Sequence, residues 1–93
     1  EIYQLCQQLN IDYDKVVEYG TLDPRLGSSH WSVPGPDGDF GYGGHCFPKD
    51  LSALLKLSSD LNTVNNVLNS TKVTNDEIRA LRDWESMKGR AVI

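Results

Sequence analysis

The run Gly41-Tyr42-Gly43-Gly44-His45-Cys46-Phe47-Pro48-Lys49-Asp50 forces a loop-to-helix junction on the middle of a 93-residue chain. Pro48 has no N–H to lose in the first turn of a helix and a φ already suited to one, so a helix starts at or near it. Cys46 then lies just ahead of that helix. Unpaired N–H groups and the positive end of the helix dipole favour an anion there, and Lys49 adds positive charge one turn in. Both effects favour thiolate over thiol. Asp50 opposes that shift if it faces the sulfur; otherwise it can cap the helix or handle a proton or a water. Gly41, Gly43 and Gly44 have no Cβ, so they can take positive φ and let a ligand approach the backbone closely. On residue pattern alone, the run also reads as a plain structural turn before a Pro-started helix.

Helical spacing dominates on both sides of this junction. Ile2, Leu5, Cys6 and Leu9 form an amphipathic segment already under way at the start of the chain, with Cys6 on its apolar stripe and therefore in the core. A short second helix follows, with Asp12 as N-cap, Tyr13, Val16 and Val17 facing inward, and Gly20 as its stop. From Thr21 to Gly44 no period is sustained, and Pro34-Gly35-Pro36-Asp37-Gly38 reads as consecutive turns. An irregular stretch of this length in a small domain points to function. Leu51, Leu54, Leu55 and Leu57 make an apolar helix ending near Ser58 to Asp60. Val64, Val67, Leu68, Thr71, Ile78 and Leu81 then keep one face from about Asn62 to Ser86, with Val73, Ala80 and Trp84 beside it. That is one helix of roughly 35 Å, or two joined at a capping box, Thr74-Asn75-Asp76-Glu77. The aliphatic stripes read as core, with one of them available to a second subunit. The fold class is all-α with one long irregular loop.

Charge and cysteine usage narrow the function. A net charge of −4 with no basic cluster argues against nucleic acid as a partner. No apolar run is long enough to cross a membrane and no signal peptide is recognisable, so the cytoplasm is the expected compartment. Two cysteines in a chain of this composition do not make a disulfide framework. His30 and His45 with Cys46 show no metal-ligand spacing, so no metal is expected. Asn69-Ser70-Thr71 matches a glycosylation sequon, a triplet common by chance. No Gly-x-Gly-x-x-Gly follows a strand, so no dinucleotide site is proposed within these residues.

The string GYGGHCFPKDLSAL closely resembles the catalytic-cysteine signature of the UDP-glucose/GDP-mannose dehydrogenase family, and Asp23-Pro24-Arg25-Leu26-Gly27, placed before it, resembles the family's D-x-R-(I/L)-G element. The resemblance implies a central helical domain over residues 1–88, truncated at its N-terminal helix, of the 6-phosphogluconate dehydrogenase C-terminal-like fold. Residues 89–93 would begin a C-terminal nucleotide-binding domain.

By the same resemblance, the intact protein would be an NAD-dependent nucleotide-sugar 6-dehydrogenase, with UDP-glucose the first choice of substrate. It would be a homodimer through this domain. Cys46 would be the nucleophile, Asp50 the group acting on water and protons, and Lys49 a stabiliser of the sulfur or of a developing oxyanion. Arg25 would reach the sugar-nucleotide bound by a neighbouring subunit; its residue-level alternative is a surface ion pair with Asp23 or a helix-end contact. Phe40, Gly41, Tyr42, Gly43 and Gly44 would line the substrate channel, and His30 and Trp31 the sugar-nucleotide pocket. The loop departs from the family pattern in being longer, with Trp31–Gly38 as the added part, where base or sugar preference would differ. NAD would be bound mainly by an N-terminal domain absent from this chain, so the chain alone is expected not to turn over. Two other readings stay open: a helical dimerisation module with an inert cysteine, and a thiol hydrolase.

Overall fold

The computed structural model describes residues 1–44, 46–80 and 85, and over these it is all-α: four helices in two compact units, Glu1–Val33 and a second unit from Pro34 onward. In the first unit, α1 (Ile2–Gln8) and α2 (Tyr13–Gly20) pack on each other. Asp12 caps α2 as expected, its carboxylate accepting the Asp14 N–H at 3.0 Å. The turn between the helices depends on Asn10, held at φ 55°, a left-handed conformation that Asn tolerates better than most residues. This lets the Ile11 N–H return to the Cys6 carbonyl at 2.8 Å. The rings of Tyr3 and Tyr13 then meet edge to face with centroids 5.4 Å apart, and Cys6 is buried as expected.

The second unit pairs α3 (Cys46–Asp60) with α4 (Asn66–Ile78). Their hairpin is closed by Asn62 at φ 55°, by the Thr63 N–H on the Ser58 carbonyl at 3.0 Å, and by the two hydroxyls of Ser58 and Thr63 at 2.6 Å. Ser58 is consequently a buried polar residue with its hydrogen bonds met.

Two expectations need correction. The helix expected from Asn62 to Ser86 starts at Asn66 and ends at Ile78, where Arg79 is extended at φ −77° and ψ 120°. At 1.5 Å per residue that is about 20 Å, not 35 Å. Nor do two helices join at Thr74: α4 runs through Thr74–Glu77 unbroken, and Asn75 is committed elsewhere. The stripes expected to form the core are also largely open. Leu54, Leu57, Val64 and Val67 are exposed, and among the described residues the buried apolar side chains are Cys6 and Pro48. A hairpin of two helices has only one seam, so a stripe wider than the seam stays in solvent. Leu81, Trp84 and the strand expected over Gly89–Ile93 lie outside the described residues, as does His45.

Candidate active site on the cysteine loop

Cys46 is an exposed free thiol and the first residue of α3. The helix therefore starts earlier than the junction at Pro48 implied: Cys46 and Phe47 belong to the first turn, and Pro48 is its buried third residue. The first turn offers N–H groups that have no acceptor within the helix, so a proline at its third position breaks no hydrogen bond. Lys49 and Asp50 follow in the same turn, with Lys49 Nζ 3.5 Å from Asp50 Oδ1 and both side chains partly open to solvent. An ammonium shared with one adjacent, solvated carboxylate is weakly held and can turn to another anion.

Tyr42 connects this turn to α4. Its ring meets Phe47 edge to face, with centroids 6.2 Å apart and planes at 85°. Burial raises the Tyr42 phenol above its ordinary pKa, and the nearby charge of Asp76 acts in the same direction. With Pro48, Leu51, Lys72 and Asn75, Tyr42 lines a small crevice between α3 and α4.

The backbone of the loop is held by Asn75, which has the sequence context of a helix cap, and by Arg79. Asn75 accepts the Tyr42 N–H on Oδ1 at 2.7 Å and donates Nδ2–H to the Tyr42 carbonyl at 3.0 Å. Arg79, whose side chain is 1 % exposed, donates from Nη1 to the Phe40 carbonyl at 3.2 Å and from Nη2 to Asp37 at 2.5 Å, with Asp39 3.6 Å from its Nε. The hydrogen bond from Arg79 is the main reason the Asp37 carboxyl lies below its ordinary pKa. Between these contacts Gly41 takes φ +67°, and a Cβ placed there would collide with the Asn75 side-chain oxygen. Gly44 also takes positive φ, at +75°, as the glycine run allows.

The other expected site residues fall in the first unit. Arg25 forms a two-pronged pair with Asp23, Nε to Oδ1 at 3.1 Å and Nη2 to Oδ2 at 2.7 Å, yet its side chain remains 87 % exposed. The pair lowers the Asp23 pKa and raises that of Arg25. His30 adopts φ 70°, with Nδ1 3.0 Å from the Ser29 hydroxyl. Trp31 donates its indole N–H to the Gly27 carbonyl at 2.8 Å, and its own carbonyl accepts the Tyr13 hydroxyl at 2.6 Å. Burial raises the Tyr13 phenol, helped by Cys6 and Asp14. Trp31 also closes an apolar pocket with Ile2, Tyr13, Val16 and Val17. The structure thus places Phe40–Gly44, Cys46, Lys49 and Asp50 in one unit and Arg25, His30 and Trp31 in the other.

Residues 1–77 match the central domain of the UDP-glucose/GDP-mannose dehydrogenase family. The chain belongs to that family. Among curated relatives it is 38 % identical over 76 residues to a UDP-glucose 6-dehydrogenase of Rhizobium meliloti (strain 1021), a match covering 82 % of this chain and 16 % of the relative. It is 36 % identical to the putative UDP-glucose 6-dehydrogenase YtcA of Bacillus subtilis (strain 168), over 82 % of this chain and 17 % of the relative. With UDP-glucose 6-dehydrogenase TuaD of the same organism it shares 29 % identity over 98 aligned positions, 99 % of this chain and 20 % of the relative. The chain thus spans between 16 % and 20 % of the length of these relatives. No solved structure matches the chain significantly.

The NAD implied by the family resemblance does not fit the described residues. They form four helices and no strand, so the strand, glycine turn and helix that seat a dinucleotide pyrophosphate are not assembled among them.

Proposed function

We propose that this chain is the catalytic-cysteine segment of an NAD-dependent nucleotide-sugar 6-dehydrogenase that converts UDP-glucose to UDP-glucuronate, working as a cytoplasmic homodimer. The observation that carries this reading is Cys46: an exposed thiol opening α3 inside the stretch that matches the family's central domain. The names of the curated relatives support the substrate. Two nicotinamides, held in turn by a domain of the parent polypeptide outside these residues, would each accept one hydride, the first as the C6 alcohol loses its hydroxyl proton and becomes an aldehyde, the second as a thiohemiacetal becomes a thioester.

The part played by this chain is covalent. The Cys46 thiolate adds to the C6 aldehyde, a C–S bond forms, and the carbonyl oxygen takes up a proton to give a thiohemiacetal. Once the thiohemiacetal is oxidised to a thioester, water adds to its carbonyl. The C–S bond then breaks, the sulfur leaves as thiolate, and the product is a carboxylate. Lys49 stands in the same helical turn, where its ammonium can leave Asp50 for a developing oxyanion, and Asp50 is then free to accept a proton from the attacking water. Phe40 to Gly44 line the substrate channel. Arg25, exposed and already shaped into a two-pronged donor, clamps the sugar-nucleotide of a neighbouring subunit, and His30 and Trp31 border the nucleotide-sugar pocket.

The test is nicotinamide reduction by the parent polypeptide with a panel of nucleotide-sugars. Two reduced nicotinamides per UDP-glucose are expected. A second reading, a helical dimerisation module with an inert cysteine, is favoured by the exposed faces at Leu54, Leu57, Val64 and Val67. It predicts a dimer that reduces no nicotinamide with any sugar.

A further inference from the structure

The residues that hold the cysteine loop in shape lie on the far side of the hairpin, at the end of α4. Asn75 is 4 % exposed, yet both halves of its amide are used on one residue, Tyr42: its oxygen on the N–H and its nitrogen on the carbonyl. The paired geometry resembles two strands exchanging hydrogen bonds, and it holds the peptide groups on both sides of the Tyr42 Cα. One helical turn later, the Arg79 guanidinium donates to the Phe40 carbonyl and the Asp37 carboxylate, while the Ala80 N–H and the Phe40 N–H both donate to Asp39 Oδ1, at 3.4 and 2.7 Å. Gly41 passes between these two anchors, so close to Asn75 that any Cβ would displace it. Beyond Tyr42 the order is carried onward by its ring, packed edge-on against Phe47, the residue after Cys46.

A buried amide and a buried guanidinium cost free energy unless their hydrogen bonds are made, and both lie on a hairpin that leaves Leu54, Leu57, Val64 and Val67 in solvent. Holding a helix pair together does not call for them. What they do hold is the segment from Asp37 to Tyr42, by the Phe40 and Tyr42 backbone and by the carboxylates of Asp37 and Asp39.

We propose that Asn75 and Arg79 are positioning residues for the dehydrogenase reaction, which set the Phe40–Tyr42 backbone and, through Tyr42 and Phe47, the placement of Cys46 against its substrate. This rests on the dehydrogenase reading above. Asn75 and Arg79 act through the loop backbone and its carboxylates, so their effect falls on the rate of the chemical step more than on substrate affinity. A displacement of about 1 Å in a reacting group can cost on the order of a hundredfold in rate.

Steady-state kinetics of the parent enzyme with UDP-glucose and NAD, native against Asn75→Ala and Asn75→Asp, test it. Asn75→Ala, folded at the assay temperature by circular dichroism, is expected to lose about a hundredfold in kcat with KM changed by less than about threefold. Asn75→Asp adds a specific readout. Its carboxylate still accepts the Tyr42 N–H but repels the Tyr42 carbonyl, whereas the protonated acid can donate to that carbonyl and restore both bonds. Its kcat, expressed as a ratio to native at each pH, is therefore expected to rise as pH falls. A folded Asn75→Ala with native kcat would overturn the proposal. If the alanine variant does not fold, the aspartate variant decides alone, and a pH-independent ratio to native overturns the proposal. Failure of the dehydrogenase reading would look different, because the native parent would then reduce no nicotinamide at all.

Discussion

The side-chain amide of Asn75 closes on both backbone groups of Tyr42, at 2.7 and 3.0 Å, across 33 residues of sequence. A helix residue thus does for the loop what a neighbouring strand would do in a sheet. The consequence is steric as well as polar, because the Gly41 Cα faces the same side-chain oxygen.

Gly41 and Gly38 should therefore respond differently to alanine. Both have positive φ, at +67° and +82°, which costs an L-residue about 1–2 kcal/mol. Nothing lies within 4 Å of a Cβ at Gly38, whereas one at Gly41 strikes Asn75. Gly41→Ala should be the more destabilising by about 1 kcal/mol or more, because overpacking adds to the backbone strain. Thermal unfolding of the two variants of the parent protein measures the difference.

Acid should loosen the loop through Asp37. Its pKa is lowered from 3.8, first by the hydrogen bond from Arg79. A carboxyl whose folded pKa is depressed contributes stability that is complete above the unfolded value and is lost as pH falls through the folded one. The contribution is thus unchanged from neutrality down to about pH 5 and disappears in strong acid, below the ordinary 3.8. Asp37→Asn should melt lower than native at pH 7, and the gap should close at the acid end of a titration of melting temperature. A constant gap would locate the effect elsewhere.

Arg25 separates stability from binding. Its pair with Asp23 is solvent-exposed, and such pairs contribute little to folding. Arg25→Ala should leave the melting temperature almost unchanged. Under the proposed function it should still raise KM for UDP-glucose in the parent enzyme by about tenfold or more, the usual effect of losing hydrogen bonds from a charged group. An unaltered KM would leave Arg25 with the Asp23 pair alone.

The two thiols should label unequally. Cys46 is exposed and Cys6 is 5 % exposed. Iodoacetamide at pH 7 should modify Cys46 well before Cys6 in the folded protein and both at similar rates in denaturant, as read by peptide mass mapping.

What could be read from the residues was what local chemistry decides. Asp12 as cap and Gly20 as the last residue of α2 are signals within one helix, and both match the structure. The end of α3 at Asp60 follows in the same way from its apolar period. The cysteine loop was legible as a motif, but its anchors were not. Thr74-Asn75-Asp76-Glu77 has the local form of a capping box, and only a partner 33 residues away reveals that Asn75 belongs to Tyr42 instead. One signal was available. Asn75 falls four residues after Thr71 and three before Ile78, on the face otherwise read as apolar, where an amide must find a hydrogen-bond partner. The early end of α4 had no such signal, because Arg79 leaves the helix for carboxylates about forty residues earlier in the chain. Exposure of the leucine and valine stripes was equally hidden, since periodicity shows which residues share a face but not whether anything covers it.

Covalent capture on Cys46 is the centre of the account. The most direct measurement is acid quenching of the parent enzyme during turnover with UDP-glucose and NAD, followed by peptide mass mapping beside Cys46→Ser. The account predicts a nucleotide-sugar acyl adduct on the Cys46 peptide of the native enzyme, and a serine variant that no longer completes oxidation to the acid. A native enzyme with no adduct, together with a serine variant that still delivers two reduced nicotinamides per sugar at the native rate, would contradict it.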